Sequence, residues 1–104
     1  SLRARVKKFL KGAQSETTME LVGADLETVL QHIKSQFYDN PQTGEPMTMD
    51  NYGQYGWHID HIIPCASFNL LDPKEQKICF NYTNLQPLWW FDNLEKGDKL
   101  NWKK

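Results

Sequence analysis

Leu2, Val6, Phe9 and Leu10 fall at i, i+4, i+7 and i+8, the spacing of a single apolar helix stripe. Residues 2–11 are therefore expected as an amphipathic helix closed by Gly12. Thr17 and Glu20 have capping-box spacing ahead of Leu21 and Val22, and Gly23 suits the left-handed residue that ends so short a helix. Asp25 is placed to cap a further helix that carries Leu26, Val29, Leu30, Ile33 and Phe37 on one face and runs to about Tyr38. The pattern then breaks. Pro41, Gly44, Pro46, Gly53 and Gly56 make residues 39–56 a turn-rich connection, with one helical turn expected around Thr48–Tyr52.

Trp57 to Ile63 reads as a short strand stopped by Pro64, followed by an irregular loop from Cys65 to Leu71. Asp72, Pro73 and Glu75 occupy the N-cap, N1 and N3 positions of a helix expected over residues 73–80. Leu85-Gln86-Pro87-Leu88 reads as a second strand, whose proline requires an edge or an end. From about Trp90 the chain turns helical again, with Phe91, Leu94 and Leu100 expected inward. The order of elements is that of an α+β fold.

Length and composition narrow this picture. The chain has 104 residues, enough for one domain that buries roughly two thirds of its unfolded surface. Residues 1–56 are read as its helical part with the connecting loop, and residues 57–104 as the part that carries the two strands and the last helix. Ten of the thirteen aromatic residues lie at or after Tyr52, so the second half should supply most of the core. No apolar run reaches the ~18–20 residues of a membrane span, and no apolar segment of a secretory signal follows the basic start. A cytoplasmic or other intracellular setting is the expectation. Cys65 and Cys79 are too few for a disulfide framework and read as small buried hydrophobes.

The formal net charge of −1 hides a segregation. Arg3, Arg5, Lys7, Lys8 and Lys11 stand in residues 1–11 without an acid, while residues 12–73 hold nine acids against Lys34. Basic character returns in Lys74 and Lys77, then in Lys96, Lys99, Lys103 and Lys104. Both ends of the chain could meet a polyanion. A solubilised terminal helix with a frayed tail accounts for the same charges.

Asp60 and His61 end an apolar strand before a proline turn, where packing alone does not call for them. Asn84 opens the second strand, Asn93 lies nine residues later and Lys96 one turn beyond it. This array, Trp57-His58-Ile59-Asp60-His61-Ile62-Ile63-Pro64 with Asn84-Leu85-Gln86-Pro87-Leu88 and Asn93-Leu94-Glu95-Lys96, closely resembles the HNH nucleases. The match covers residues 57–99. Residues 1–56 look, more weakly, like the helical lead-in of HNH proteins from phages and large DNA viruses.

The resemblance implies a small ββα-metal motif packed with N-terminal helices, and a metal-dependent endonuclease that cuts DNA to 5′-phosphate and 3′-hydroxyl ends. It implies Asp60 and Asn93 as ligands of Mg²⁺ or Mn²⁺, His61 as general base and Asn84 as the residue that ties the surrounding loop together. The chemistry of each residue is compatible with its role. A carboxylate is the hard oxygen that Mg²⁺ prefers, and an imidazole of pKa near ~6.5 is substantially neutral at pH 7. Lys96 matches a basic position of related nucleases and would contact phosphate, as would Lys99, Arg3, Arg5, Lys7 and Lys8; a helix-surface lysine is the plain alternative for Lys96.

His58 shares a strand face with Asp60 by alternation, as a further ligand, a phosphate contact or a structural residue. Alternation also puts Asp60 and His61 on opposite faces, so the family mechanism requires the strand to end or bulge there. His32, on the helix after Asp25, reads as structural. The chain departs from the family in lacking paired Cys-x-x-Cys motifs, and a structural zinc from Cys65, Cys79 and two histidines would consume the catalytic candidate. Structural zinc is therefore not expected. Two rival functions stand beside the nuclease: a toxin-type nuclease without sequence preference, and a DNA-binding module that keeps the scaffold without turnover. A place in a larger nuclease system stays open, as do the target sequence and the oligomeric state.

Overall fold

A computed structural model of the chain describes residues 22–103. The helix expected at 2–11, with Arg3, Arg5, Lys7 and Lys8, lies outside the described residues, as does most of the short helix expected after Thr17. Val22 is helical and Gly23 follows at φ +75°, the left-handed conformation expected of it.

Helix α1 runs Leu26–Lys34, and the Asp25 carboxylate accepts the Thr28 N–H at 2.9 Å. It buries Val29, Leu30 and Ile33. It is one turn shorter than the apolar spacing suggests, because Gln36 and Phe37 donate to Ile33 and Lys34, three residues back, and tighten the chain into a turn. Phe37 still reaches the core by that route, edge-on to Trp57 at 5.1 Å between ring centroids. Tyr38 then ties the turn to the second half: its hydroxyl donates to Asp92 (2.7 Å) and accepts from the Trp89 backbone N–H (3.1 Å), and its carbonyl accepts the Trp89 indole N–H (3.0 Å).

Residues 39–56 form turns, without the helical turn expected near Thr48. Their anchors are the Trp57 indole, which donates to the Thr48 carbonyl at 2.7 Å, and a short parallel bridge between Tyr52 and Trp57. Gly56 is required here, since a Cβ on it would lie 1.7 Å from the Asn51 carbonyl oxygen.

Strand β1 (Trp57–His61) pairs antiparallel with β2 (Leu85–Trp89) in regular register, Trp57 opposite Trp89 and His61 opposite Leu85. The β1 strand stops at His61, two residues short of the apolar run, and Ile62 and Ile63 are exposed. Between the strands come a 3₁₀ turn at Cys65–Ser67, helix α2 (Pro73–Phe80) and a second 3₁₀ turn at Tyr82–Asn84. Asp72 caps α2 by accepting from Lys74 at 2.9 Å, with Pro73 at its first position. Glu75 instead reaches back to the Asn69 N–H.

Helix α3 (Trp90–Lys96) follows β2 with no intervening residue. Phe91 packs on the core, but Leu94 and Leu100, expected inward, are 75% and 69% exposed. The face that α3 turns to the sheet carries polar residues instead. One hydrophobic cluster, built on Val22, Val29, Leu30, Ile33, Met47, Trp57, Leu85 and Trp89, joins α1 to the sheet. The architecture is α+β. Among the described residues no helix is long and apolar enough to cross a membrane.

Candidate functional site

Helix α3 lies against β1 so that residues three apart on the helix meet residues two apart on the strand. Asn93 Nδ2 is 3.2 Å from His58 Nδ1, and Lys96 Nζ is 3.1 Å from Asp60 Oδ2. The two spacings match because three helical residues rise about 4.5 Å and two strand residues about 6.6 Å, a difference long side chains absorb. His58 and Asp60 share one face of β1, as alternation requires, and α3 supplies Asn93 and Lys96 to it.

Asp60 is held from two sides. Gln86, directly opposite it on β2, donates from Nε2 to Oδ2 at 3.1 Å. Lys96 pairs with the same oxygen and also donates to the His61 carbonyl at 2.9 Å. The lysine is 2% exposed, which corrects the expectation of a phosphate-contacting or helix-surface side chain. Its side chain is buried and its ammonium is the internal counterion of Asp60. Lys99 is exposed just beyond α3.

His58 is bonded at both ring nitrogens, to Asn93 and to the Gln54 carbonyl (3.2 Å). This is the structural role among those open to it. An open hollow of about 360 Å³, lined by Tyr52, Gly53, Gln54 and His58, lies beside this pair.

His61 has different neighbours. Its ring stands edge-on to Phe80 at 6.0 Å, and its Nε2 is buried with no hydrogen-bond partner among the described residues. Burial pushes the imidazole below its ordinary pKa; the Asp60 carboxylate opposes this and the Lys96 ammonium adds to it. The neutral form is therefore favoured. The strand ends at His61 without a bulge in its register, and the Lys96 ammonium joins the Asp60 carboxylate to the His61 backbone carbonyl rather than to its ring.

Asn84 is 7% exposed and closes the loop around His61. Its Oδ1 accepts the Ile63 N–H (2.9 Å), and its Nδ2 donates to the Ile63 and Cys79 carbonyls (3.1 and 3.0 Å). The Asn84 carbonyl also accepts the Ile62 N–H at 2.7 Å. One side chain thus fixes the exit of β1 to the end of α2, the tie expected of it. His32, read as structural, has its Nε2 3.2 Å from the Leu85 carbonyl.

The sequence reading missed Gln86 and Phe80. Only the cross-strand register marks Gln86, because Asp60 and Gln86 become neighbours once Trp57 is set opposite Trp89. The reading also set aside a joint role for His61, Cys65 and Cys79, whose ligand atoms all lie within 4.8 Å of one another.

A protein of Acanthamoeba polyphaga mimivirus described as "Uncharacterized protein L246" is 39% identical over 102 residues, which are 98% of this chain and 42% of that protein. A second from the same virus, "Uncharacterized protein L426", is 41% identical over 100 residues, 95% of this chain and 41% of that protein. The chain thus spans about two fifths of the length of these curated relatives. No protein-family model and no solved structure matches it.

Proposed function

We propose that this chain carries a metal-dependent, HNH-like DNA endonuclease site on its β1, β2 and α3 elements. The observation that carries the reading is the convergence of Asp60, Asn93 and Lys96 along one side of β1, with a neutral histidine at the end of the same strand. Packing alone gives no reason to seat a carboxylate, an amide and an ammonium in one row beside a two-stranded sheet.

His61 is the general base. Its Nε2 meets no donor among the described residues, and burial favours the neutral ring, which can take the proton of an attacking water. Asn84 positions it by holding Ile63 and Cys79 on either side. Asp60 and Asn93 offer hard oxygens that fit Mg²⁺ or Mn²⁺: the Asn93 nitrogen faces His58, which leaves its oxygen as the donor. Such a cation supplies charge stabilisation at the scissile phosphate and the leaving oxygen. Lys96 already neutralises Asp60, so the site gains most of its affinity for a cation when substrate phosphates add their own oxygens. The hollow beside His58 offers room for the strand being cut.

The Lys96–Asp60 pair favours a second reading, a DNA-binding module on the same scaffold without turnover, since an ammonium already stands where a cation would be drawn. Supercoiled plasmid incubated with Mg²⁺ or Mn²⁺ separates the two. The nuclease reading expects nicked or linear product, abolished by EDTA and reduced about 10²–10⁴-fold in a folded His61→Ala variant. Undiminished cutting in EDTA or in that variant rejects it, and retarded but uncut DNA favours the second reading.

A further inference from the structure

The group His61, Cys65 and Cys79 shares His61 with the proposed nuclease site but offers sulfur in place of the oxygens of Asp60 and Asn93. The ligand atoms lie within 4.8 Å of one another, and the two sulfurs are 2.8 Å apart. Tetrahedral zinc with Zn–S near 2.3 Å and Zn–N near 2.0 Å places its ligand atoms roughly 3.3–3.8 Å apart. The three atoms are gathered to within 4.8 Å, and the sulfurs need to part by about 1 Å to reach that spacing. His61 Nε2, enclosed and without a hydrogen-bond partner among the described residues, has a lone pair to offer an ion when the ring proton sits on Nδ1.

We infer that His61, Cys65 and Cys79 form a thiophilic metal site that takes Zn²⁺, or an ion of similar softness, through one imidazole nitrogen and two thiolates. Binding forms one metal–nitrogen and two metal–sulfur bonds and releases two thiol protons to solvent. Two thiolates and a neutral imidazole cancel the dication, so the enclosed site carries no net charge. The fourth position falls to water, as in zinc sites with three protein ligands. Half-exposed Cys65, on the turn after Pro64, is the side of entry, and buried Cys79 is the floor. The arms that carry the thiols are already fixed, because Asn84 bonds both Ile63 and the Cys79 carbonyl.

Softness keeps the two cation sites distinct. Oxygens of Asp60 and Asn93 suit Mg²⁺, whereas thiolates select against it. A consequence rests on the nuclease reading: an ion on His61 takes the lone pair that would accept the proton of water, so zinc would silence a cut that magnesium supports.

The binding test needs no activity. Fully reduced protein is titrated with Co²⁺ or Cd²⁺ alone, and sulfur-to-metal charge-transfer absorption is followed. One equivalent should produce a band of two-thiolate intensity, unaffected by excess Mg²⁺, with Co²⁺ also giving the visible absorption of a tetrahedral site. Cys65→Ser, at a half-exposed position and checked for fold by circular dichroism, should halve the band and weaken binding by at least about tenfold. His61→Ala should keep the sulfur band, lose affinity and weaken the tetrahedral signature. No band in the reduced, folded wild type, or an unchanged band in Cys65→Ser, overturns the site. Zinc added to the plasmid assay is a separate arm. If the protein never cuts DNA, the nuclease reading fails and the absorption result still decides the metal site.

Discussion

The Lys96 ammonium lies 3.1 Å from the Asp60 carboxylate while the two side chains are only 2% and 12% exposed. A pair so far from water stabilises little in total, because desolvation offsets the attraction, yet removing one partner strands the other. Lys96→Ala is expected to lower unfolding free energy by about 3–5 kcal/mol. Lys96→Met restores the packing of the stem and leaves Asp60 unpaired, so it should stay destabilised. Adding Asp60→Asn to Lys96→Met should recover much of the loss. Urea midpoints of the wild type, Lys96→Met, Asp60→Asn and the double variant test this, and strictly additive losses would mean that the pair is not coupled.

Asn84→Ala leaves the Ile63 N–H without its acceptor and the Ile63 and Cys79 carbonyls without their donor. A loss of about 2–4 kcal/mol is expected from groups stranded away from solvent. Asn84→Asp is the sharper test. It keeps the acceptor for Ile63 but turns a carboxylate oxygen towards two carbonyls, and should be no more stable than the alanine variant at pH 7. An aspartate variant as stable as the wild type would show that the amide nitrogen is dispensable.

His61 titrates below the ordinary imidazole value, chiefly through burial. Its neutral form therefore persists to lower pH in the folded chain than in the unfolded one. The acid limb of kcat/KM for DNA cleavage should fall below pH ~6.5. Stability should respond in the same direction. The contribution of neutral His61 is complete above its unfolded pKa and is lost as pH falls from there through the folded value. A pH–rate profile between about 5 and 9, beside urea midpoints over the same interval, checks both. An acid limb above the ordinary histidine range would contradict the burial of the base.

The two cysteines should react unequally. Burial, and then the Cys65 thiol beside it, push the Cys79 thiol up to about 12, so almost none of it is thiolate near neutrality. Cys65 is partly exposed and Cys79 is buried. Iodoacetamide at pH 8 should alkylate Cys65 first, with Cys79 modified at least about 10²-fold more slowly until urea is added. Peptide mass mapping over time distinguishes the sites. Equal rates in the native protein would place Cys79 within reach of solvent.

Where local chemistry decides the conformation, the sequence was readable. Asp25, Asp72 and Pro73 start their helices as capping rules require, and the strand pair follows from two short apolar runs bounded by prolines, glycines and asparagine. Long-range placement decides the rest. Leu94 and Leu100 look like core residues until Asn93 and Lys96 claim the inner face of α3. The burial of Lys96 cannot be read from a charged residue near a helix end, because it depends on a carboxylate thirty-six positions earlier. The meeting of His61 with Cys65 and Cys79 depends on a 3₁₀ turn and on the Asn84 bonds, and neither leaves a periodic trace.

The direct join of β2 to α3 sets a rotational phase. Trp89 ends the strand, Trp90 begins the helix, and the Trp90 N–H is pinned to the Gly56 carbonyl at 2.8 Å. One residue inserted at this join would turn everything beyond it by about 100° and advance it about 1.5 Å. Asn93 would swing away from His58 and Lys96 away from Asp60, although every side chain named above would still be present. The distance in residues from Asn84 to Lys96 is therefore as much a part of the site as their identities, while the turns of residues 39–45 can change length without rotating any of it.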